Sequence, residues 1–166
     1  MKVKEVIDKL SSYNLYNYLF PGFIFVIALD KTTSLIPDNV ELSFIIVIAV
    51  VYFSGLFISR IGSLVIEEIL LASKSIKPLP TRDLIARLRE DIKLEVIYEA
   101  MNMYRTLGAM SVILFIVTII DLIKNNIIVN VTIVTLILEF IFSVLFIFAF
   151  RKQRGKVQKC LDTSAS

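Results

Sequence analysis

Hydrophobic residues in this chain gather into long uninterrupted blocks separated by short charged stretches. Leu42–Ser59 gives 18 consecutive uncharged positions, closed by Arg60. Ile127–Phe150 gives 24, with Glu139 as the single charge. A helix of roughly 20 apolar residues crosses the ~30 Å hydrocarbon core of a bilayer, so both blocks read as spans. Two weaker blocks accompany them. Tyr13–Leu29 has 17 uncharged residues and a first half rich in Tyr and Asn, as at headgroup level. It contains Pro21-Gly22, which predicts a bent helix, with a re-entrant segment as the alternative. Thr106–Ile120 has only 15 uncharged residues and draws on Tyr104 and Leu122–Ile123 to complete a crossing.

The stretches between the blocks carry their own patterns. Val3, Val6, Ile7 and Leu10 stand at helical spacing among charges, predicting an amphipathic interfacial helix over 1–12. Pro37-Asp38-Asn39 marks a turn within a 30–41 loop. The second helix is expected to run on to Ile76 and stop at Pro78 and Pro80. Thr81 then caps a returning helix, with Leu84, Ile85, Leu88, Ile92, Val96 and Ala100 as its apolar stripe. No breaker precedes the third block, so that helix is expected to enter it directly. The predicted fold is an all-α integral membrane protein with four transmembrane helices (13–29, 42–60, 106–123 and 127–150). A cytoplasmic helical hairpin extension, 61–105, projects as a stalk between spans two and three. A short external turn at 124–126 joins the last two spans. A basic tail, 151–166, closes the chain, with Leu161–Ser166 disordered.

Charge gives a topology. Of 18 Lys and Arg, three precede the first block, eight lie between Arg60 and Arg105, and five follow Phe150, which leaves Lys31 and Lys124 elsewhere. The positive-inside rule then places both termini and the 60–105 segment in the cytoplasm, and that alternation requires an even number of crossings. The start of the chain lacks a signal-peptide pattern. The 57% hydrophobic content exceeds that of ordinary soluble domains. With no His and a lone Cys160, neither a zinc site nor a disulfide framework is expected. Phosphate-binding glycine motifs are lacking as well. The chain therefore reads as a non-enzyme without cofactor, whose partners are the bilayer, further copies of itself and a cytoplasmic protein bound through 61–105. Direct nucleic-acid binding is not expected, because basic residues beside a span read first as topology signal and anionic-lipid contact.

A few residues stand out against this background. Glu139 lies near the middle of the fourth block, where an ionised carboxylate is costly. Ser54 and Thr118 are hydroxyl donors on other blocks and complete the candidate intramembrane polar site. Glu139 is read either as a neutral hydrogen-bonding group between helices or subunits, or as a pore-lining or state-sensing carboxylate. Gly55, Gly62 and Gly108 are candidates for close helix packing, with Gly108 and Ala109 offering a surface to match Ser54-Gly55. Arg82, Arg87, Arg89, Glu95 and Glu99 decorate the hairpin as candidate partner-docking residues. Arg60, Glu67 and Glu68 with Glu95, Glu99 and Arg105 read first as an ordinary solvated face, with pairing across the hairpin as the alternative.

The four-span layout, the Tyr/Asn-rich lead into Phe20-Pro21-Gly22-Phe23 and the charged hairpin resemble small bacterial membrane proteins of anti-phage defence operons. Among these the chain is most similar to the membrane subunit of the Kiwa system. The resemblance implies an inner-membrane protein that senses infection at the envelope and works with a cytoplasmic DNA-binding partner, in a tetramer. It transfers no catalytic or binding residue. A second defence-linked group forms oligomeric pores, and some of its members carry a histidine-bearing motif that this chain lacks. The expected function is a membrane sensor or scaffold that recruits or regulates a cytoplasmic partner; the alternative is an oligomeric channel or membrane-disrupting effector.

Overall fold

The computed structural model describes residues 14–33, 43–125 and 130–163. The interfacial helix expected at 1–12, most of the 30–41 loop, and residues 126–129 and 164–166 lie outside the described residues.

Helix α1, Phe20–Thr33, is entered through a π-helical turn at Leu15–Leu19. Pro21 explains the wide turn. It has no N–H to offer the Asn17 carbonyl, and its ring crowds that carbonyl. The turn relaxes, and the Phe20 N–H donates to the Leu15 carbonyl, five residues back. The helix absorbs Pro21 this way without breaking. Helix α2, Phe44–Ile61, continues through a second π turn at Gly62–Glu67 into the short α3, Glu68–Ala72. Then come α4, Thr81–Leu88, α5, Ile92–Asn125, and α6, Asn130–Thr163.

Among the described residues, three helices rather than four are long and apolar enough to cross a membrane: Phe44–Ala72, Ile92–Lys124 and Thr132–Asp162. The protein is an all-α multi-pass membrane protein, and the expectation of four transmembrane helices is overturned. The segment expected as the first span falls short for a visible reason. Length is not the cause, because with its π turn the helix is continuous over 15–33; polar residues dilute it at both ends. Asp30 and Lys31 occupy its last turns, and Asn14 and Asn17 its entry. Asn17 is turned into the protein rather than outward; it is 1% exposed, and its π turn packs against α2 and α5. Three candidate crossings among the described residues also no longer supply the even number on which two cytoplasmic termini rested.

The hairpin extension is corrected as well. The second rod stops at Ala72, before Pro78, in a Schellman cap. Lys74 takes the left-handed conformation (φ 54°), Lys74 N–H donates to the Leu71 carbonyl at 2.9 Å, and Ser75 N–H donates to the Leu70 carbonyl at 2.9 Å. The returning helix is broken at Arg89–Asp91. Asp91 restarts it: its Oδ1 accepts from the Lys93 and Leu94 N–H groups at 2.9 and 3.2 Å. No straight two-helix stalk results.

Instead, α6 supplies a third wall. It does not fray after Phe150 but stays helical to Thr163. Phe150, Arg154, Val157 and Leu161 recur at helical spacing and are all buried. Phe150, Val157 and Leu161 meet Ile76, Leu84, Leu94 and Met101 in one apolar core. A second core, at the level of the apolar blocks, joins Ile58 and Ile66 to Leu107, Ala109, Met110 and Leu114, with Ile24, Phe25 and Ala28 of α1 against it. Helix α5 belongs to both cores.

Candidate functional site

The two cores meet at a buried charge cluster. Glu67 ends the second π turn and points between α5 and α6. Its Oε2 accepts from Arg105 Nη1 on α5 and its Oε1 from Arg154 Nη1 on α6, each at 2.5 Å. Arg154 also donates through Nε to the Lys77 carbonyl at 3.0 Å, fixing the loop after α3. Its guanidinium stands 6.0 Å from the Phe150 ring centroid. The side chains of Arg105, Arg154 and Glu67 are only 13%, 5% and 17% exposed. One carboxylate thus ties three segments of the chain together. Each oxygen serves one guanidinium, and the cluster carries one surplus positive charge.

Of the pairs read from the sequence, Glu67 with Arg105 is formed. Arg154 was hidden within the basic run 151–156 and was missed. Its signal was the spacing Phe150, Arg154, Val157, Leu161, which continues the inward stripe past the end of the apolar block. Glu68 and Arg60 are exposed on the same rod.

Within the apolar blocks, Thr118 Oγ1 donates to Glu139 Oε1 at 3.1 Å, joining α5 to α6. Ser143 Oγ donates back to the Glu139 carbonyl at 2.7 Å. Ser54 is half-buried on α2 and makes no hydrogen bond to Glu139. The structure therefore brings together two of the three candidate polar residues. Phe115 and Phe140 stack at a tilt beside them, with ring centroids 5.9 Å apart.

The glycines sort by partner. A Cβ on Gly55 would collide with the Tyr18 backbone, and one on Gly22 with the Val51 carbonyl, so α1 and α2 cross backbone to backbone. Gly62 faces the Arg105 carbonyl and Ala109 on α5, at 3.2 and 3.3 Å from its ideal Cβ. Gly108 faces Ile147 on α6 at 3.4 Å. The match expected between Ser54-Gly55 and Gly108-Ala109 is not made; Gly55 belongs to α1, and Ala109 pairs with Gly62.

The candidate docking residues scatter around the outer end. Arg87 is half-buried and donates through Nη1 to the Cys160 carbonyl at 3.4 Å. Arg89 and Glu95 are exposed, and Glu99 is half-buried. Arg82 lies on α4, and its side chain is outside the described residues. Arg87, Glu90, Asp91, Leu94 and Cys160 line an open cleft of about 350 Å³. The apolar stripe expected to pack inward divides. Leu84 is buried, whereas Ile85, Ile92 and Val96 are 51%, 78% and 59% exposed. Ile92 and Val96 lie one turn apart on α5, with Arg89 and Glu95 close by in sequence. Among the described residues, no group of three Cys, Asp or Glu is placed to hold a metal ion. Compared with known proteins, the chain matches no family model, no curated protein and no solved structure.

Proposed function

We propose that this chain is a sensor or scaffold subunit of the bacterial inner membrane that recruits or regulates a cytoplasmic partner. The observation that supports this best is the exposed apolar pair Ile92 and Val96, one turn apart on α5 with Glu95 between them in sequence, carried on a packed end of the chain. Apolar patches edged by charge are a common mark of protein interaction surfaces. Helix α5 gives that surface a mechanical link to the bilayer. Its 34 residues rise about 51 Å, so some 20 Å stands clear of a ~30 Å hydrocarbon core. A shift within the apolar blocks is carried along α5 to the patch, with Glu67 holding the three rods in register. The basic residues of 60–105 and 151–159 put this end in the cytoplasm. The chain assembles with further copies through its lipid-level helices, and the resemblance to anti-phage membrane subunits makes defence its setting.

Glu139 fits the same reading. It is tied to Thr118 between two helices of one chain, which is a packing role. The test has two arms. A photo-crosslinking residue at Ile92 or Val96 in cells is expected to give an adduct with a soluble protein. Ile92→Glu with Val96→Glu should release that protein from the membrane fraction while the chain itself stays there. In the second arm, purified wild type and Glu139→Gln are reconstituted in liposomes, and neither is expected to pass ions. Reproducible wild-type flux altered by Glu139→Gln would replace the scaffold with a channel, since rings of carboxylates favour cations.

A further inference from the structure

After Phe150 the sequence reads Arg151-Lys152-Gln153-Arg154-Gly155-Lys156, and the helix sorts this run onto two faces. Arg154 turns inward to Glu67. Arg151, Lys152, Gly155, Lys156 and Lys159 are exposed. At about 100° per residue these five positions fall within an arc of roughly 140°, away from buried Phe150, Val157 and Leu161. The same arc, followed back along α6, carries Ile137, Ile141, Val144, Leu145 and Phe148, all exposed. Only 11% of the apolar window of this helix is buried inside the chain, against 44% for α5. One face of α6 is therefore apolar over about four turns and becomes cationic within a single turn at Arg151.

We infer that this cationic arc is a binding surface for the headgroups of anionic phospholipids. The apolar part of the arc meets acyl chains, so the first residues beyond it stand where the phosphodiesters of those lipids lie. Arg151 and Lys152 sit at the hydrocarbon boundary. Lys156 is about 7.5 Å further along the axis, close to the depth of a headgroup layer, ~5–7 Å, and within the ~8 Å Debye length. Gly155 lies inside the arc, and nothing stands within 4 Å of where its Cβ would be, which leaves room for a headgroup between the long side chains. Continuity with the lipid-facing surface selects a lipid over a soluble polyanion, which would have no need of the apolar arc above. The inward neighbour Arg154 places this contact on the same turn as the Glu67 cluster, so leaflet charge acts on the part of α6 that organises the extramembrane end.

The test uses the full chain in mild detergent, titrated with phosphatidylglycerol or phosphatidylcholine and read by native mass spectrometry as lipid retained. Wild type is expected to prefer phosphatidylglycerol. Each surface basic residue contributes about five-fold to such contacts, so Arg151→Gln, Lys152→Gln and Lys156→Gln combined should lower that affinity about 100-fold. Affinity for phosphatidylcholine and the melting temperature should not move, because Arg154 and its partners are untouched. Arg89→Gln with Lys93→Gln removes two exposed charges elsewhere and should leave lipid retention unchanged. Equal retention of the two lipids by wild type would overturn the inference, as would an equal loss in the Arg89/Lys93 control. A labelled oligonucleotide that binds wild type in phosphatidylcholine nanodiscs and is lost in the triple variant, with no lipid preference in either, would assign the arc to nucleic acid instead.

Discussion

Replacing Glu67 with glutamine should destabilise the protein by about 3–5 kcal/mol, the usual consequence of removing one partner from a buried ion pair. The structure supplies the terms. Glu67 accepts from Arg105 and Arg154 with side chains 17%, 13% and 5% exposed. At an effective dielectric constant of ~20, unit charges about 4 Å apart attract by about 4 kcal/mol, so two pairs give roughly 8 kcal/mol. Repulsion between the guanidiniums and a desolvation cost of several kcal/mol per ion consume most of it. The intact cluster is therefore near break-even. Glutamine keeps the shape and a hydrogen-bond acceptor but removes both attractions, while the desolvation of two arginines and their repulsion remain. The assay is thermal unfolding in detergent, with Glu68→Gln as control; Glu68 is adjacent and exposed and should move stability by less than about 0.5 kcal/mol. Adding Arg154→Gln to Glu67→Gln should cost less than the two separate losses added together, with a coupling of about 1 kcal/mol or more. If Glu67→Gln melts with Glu68→Gln, or the double variant is additive, the cluster does not hold the rods together.

Four other substitutions have signs set by the backbone. Gly55→Ala should destabilise by about 1–3 kcal/mol, because its Cβ meets the Tyr18 backbone, which cannot swing aside as a side chain does. Gly155→Ala should stabilise by about 0.5–1 kcal/mol, since it is a helix-interior glycine in open space; equal signs for the two glycines in a melting assay would contradict the α1–α2 crossing. Lys74→Gly should raise stability by about 0.5 kcal/mol by removing the left-handed strain of the Schellman cap, and a lower melting temperature would argue against that cap. Asp91→Ala should cost about 1 kcal/mol and speed amide exchange at Lys93 and Leu94, whose N–H groups it accepts; unchanged exchange would rule out the cap.

The blocks Leu42–Ser59, Thr106–Ile120 and Ile127–Phe150 were legible because span length is a property of the local sequence, and the described parts of all three contribute to the long helices Phe44–Ala72, Ile92–Lys124 and Thr132–Asp162. The first block was not, because it was counted in uncharged residues. Asn14, Asn17 and Pro21 are uncharged but polar or conformationally restrictive, and the regular helix begins only at Phe20. The end of the second helix was read from Pro78 and Pro80, and the start of the next from Thr81. The chain ends one helix at Lys74, a residue with no composition signal for the left-handed conformation, and restarts another at Asp91, whose cap the expectation of an unbroken helix passed over. The site was half legible. Glu67 and Arg105 stood on facing helices, and Thr118 and Glu139 were candidates for contact. Arg154 was concealed because a basic run at the end of a span is read as one object, whereas a helix gives each member its own direction.

That last distinction links the two ends of α6. A span is recognised by its average hydropathy, and averaging erases the angular position of every residue. Along Asn130–Thr163, angle carries the information that composition loses. Thr118 reaches Glu139 on the side that faces α5, while Ile137 and Ile141 beside it face lipid. Twelve to fifteen residues later the same two directions recur, with Arg154 inward to Glu67 and Arg151 and Lys152 outward. The inward direction is polar at two depths and apolar between them, at Phe146, Ile147 and Phe150. A rigid helix with two polar anchors on one side resists rotation about its axis, since turning it breaks both at once. The motion that spares one anchor is tilt, with the Glu67 end as pivot. On the proposed reading, motion of that kind is what Ile92 and Val96 on the neighbouring α5 would report.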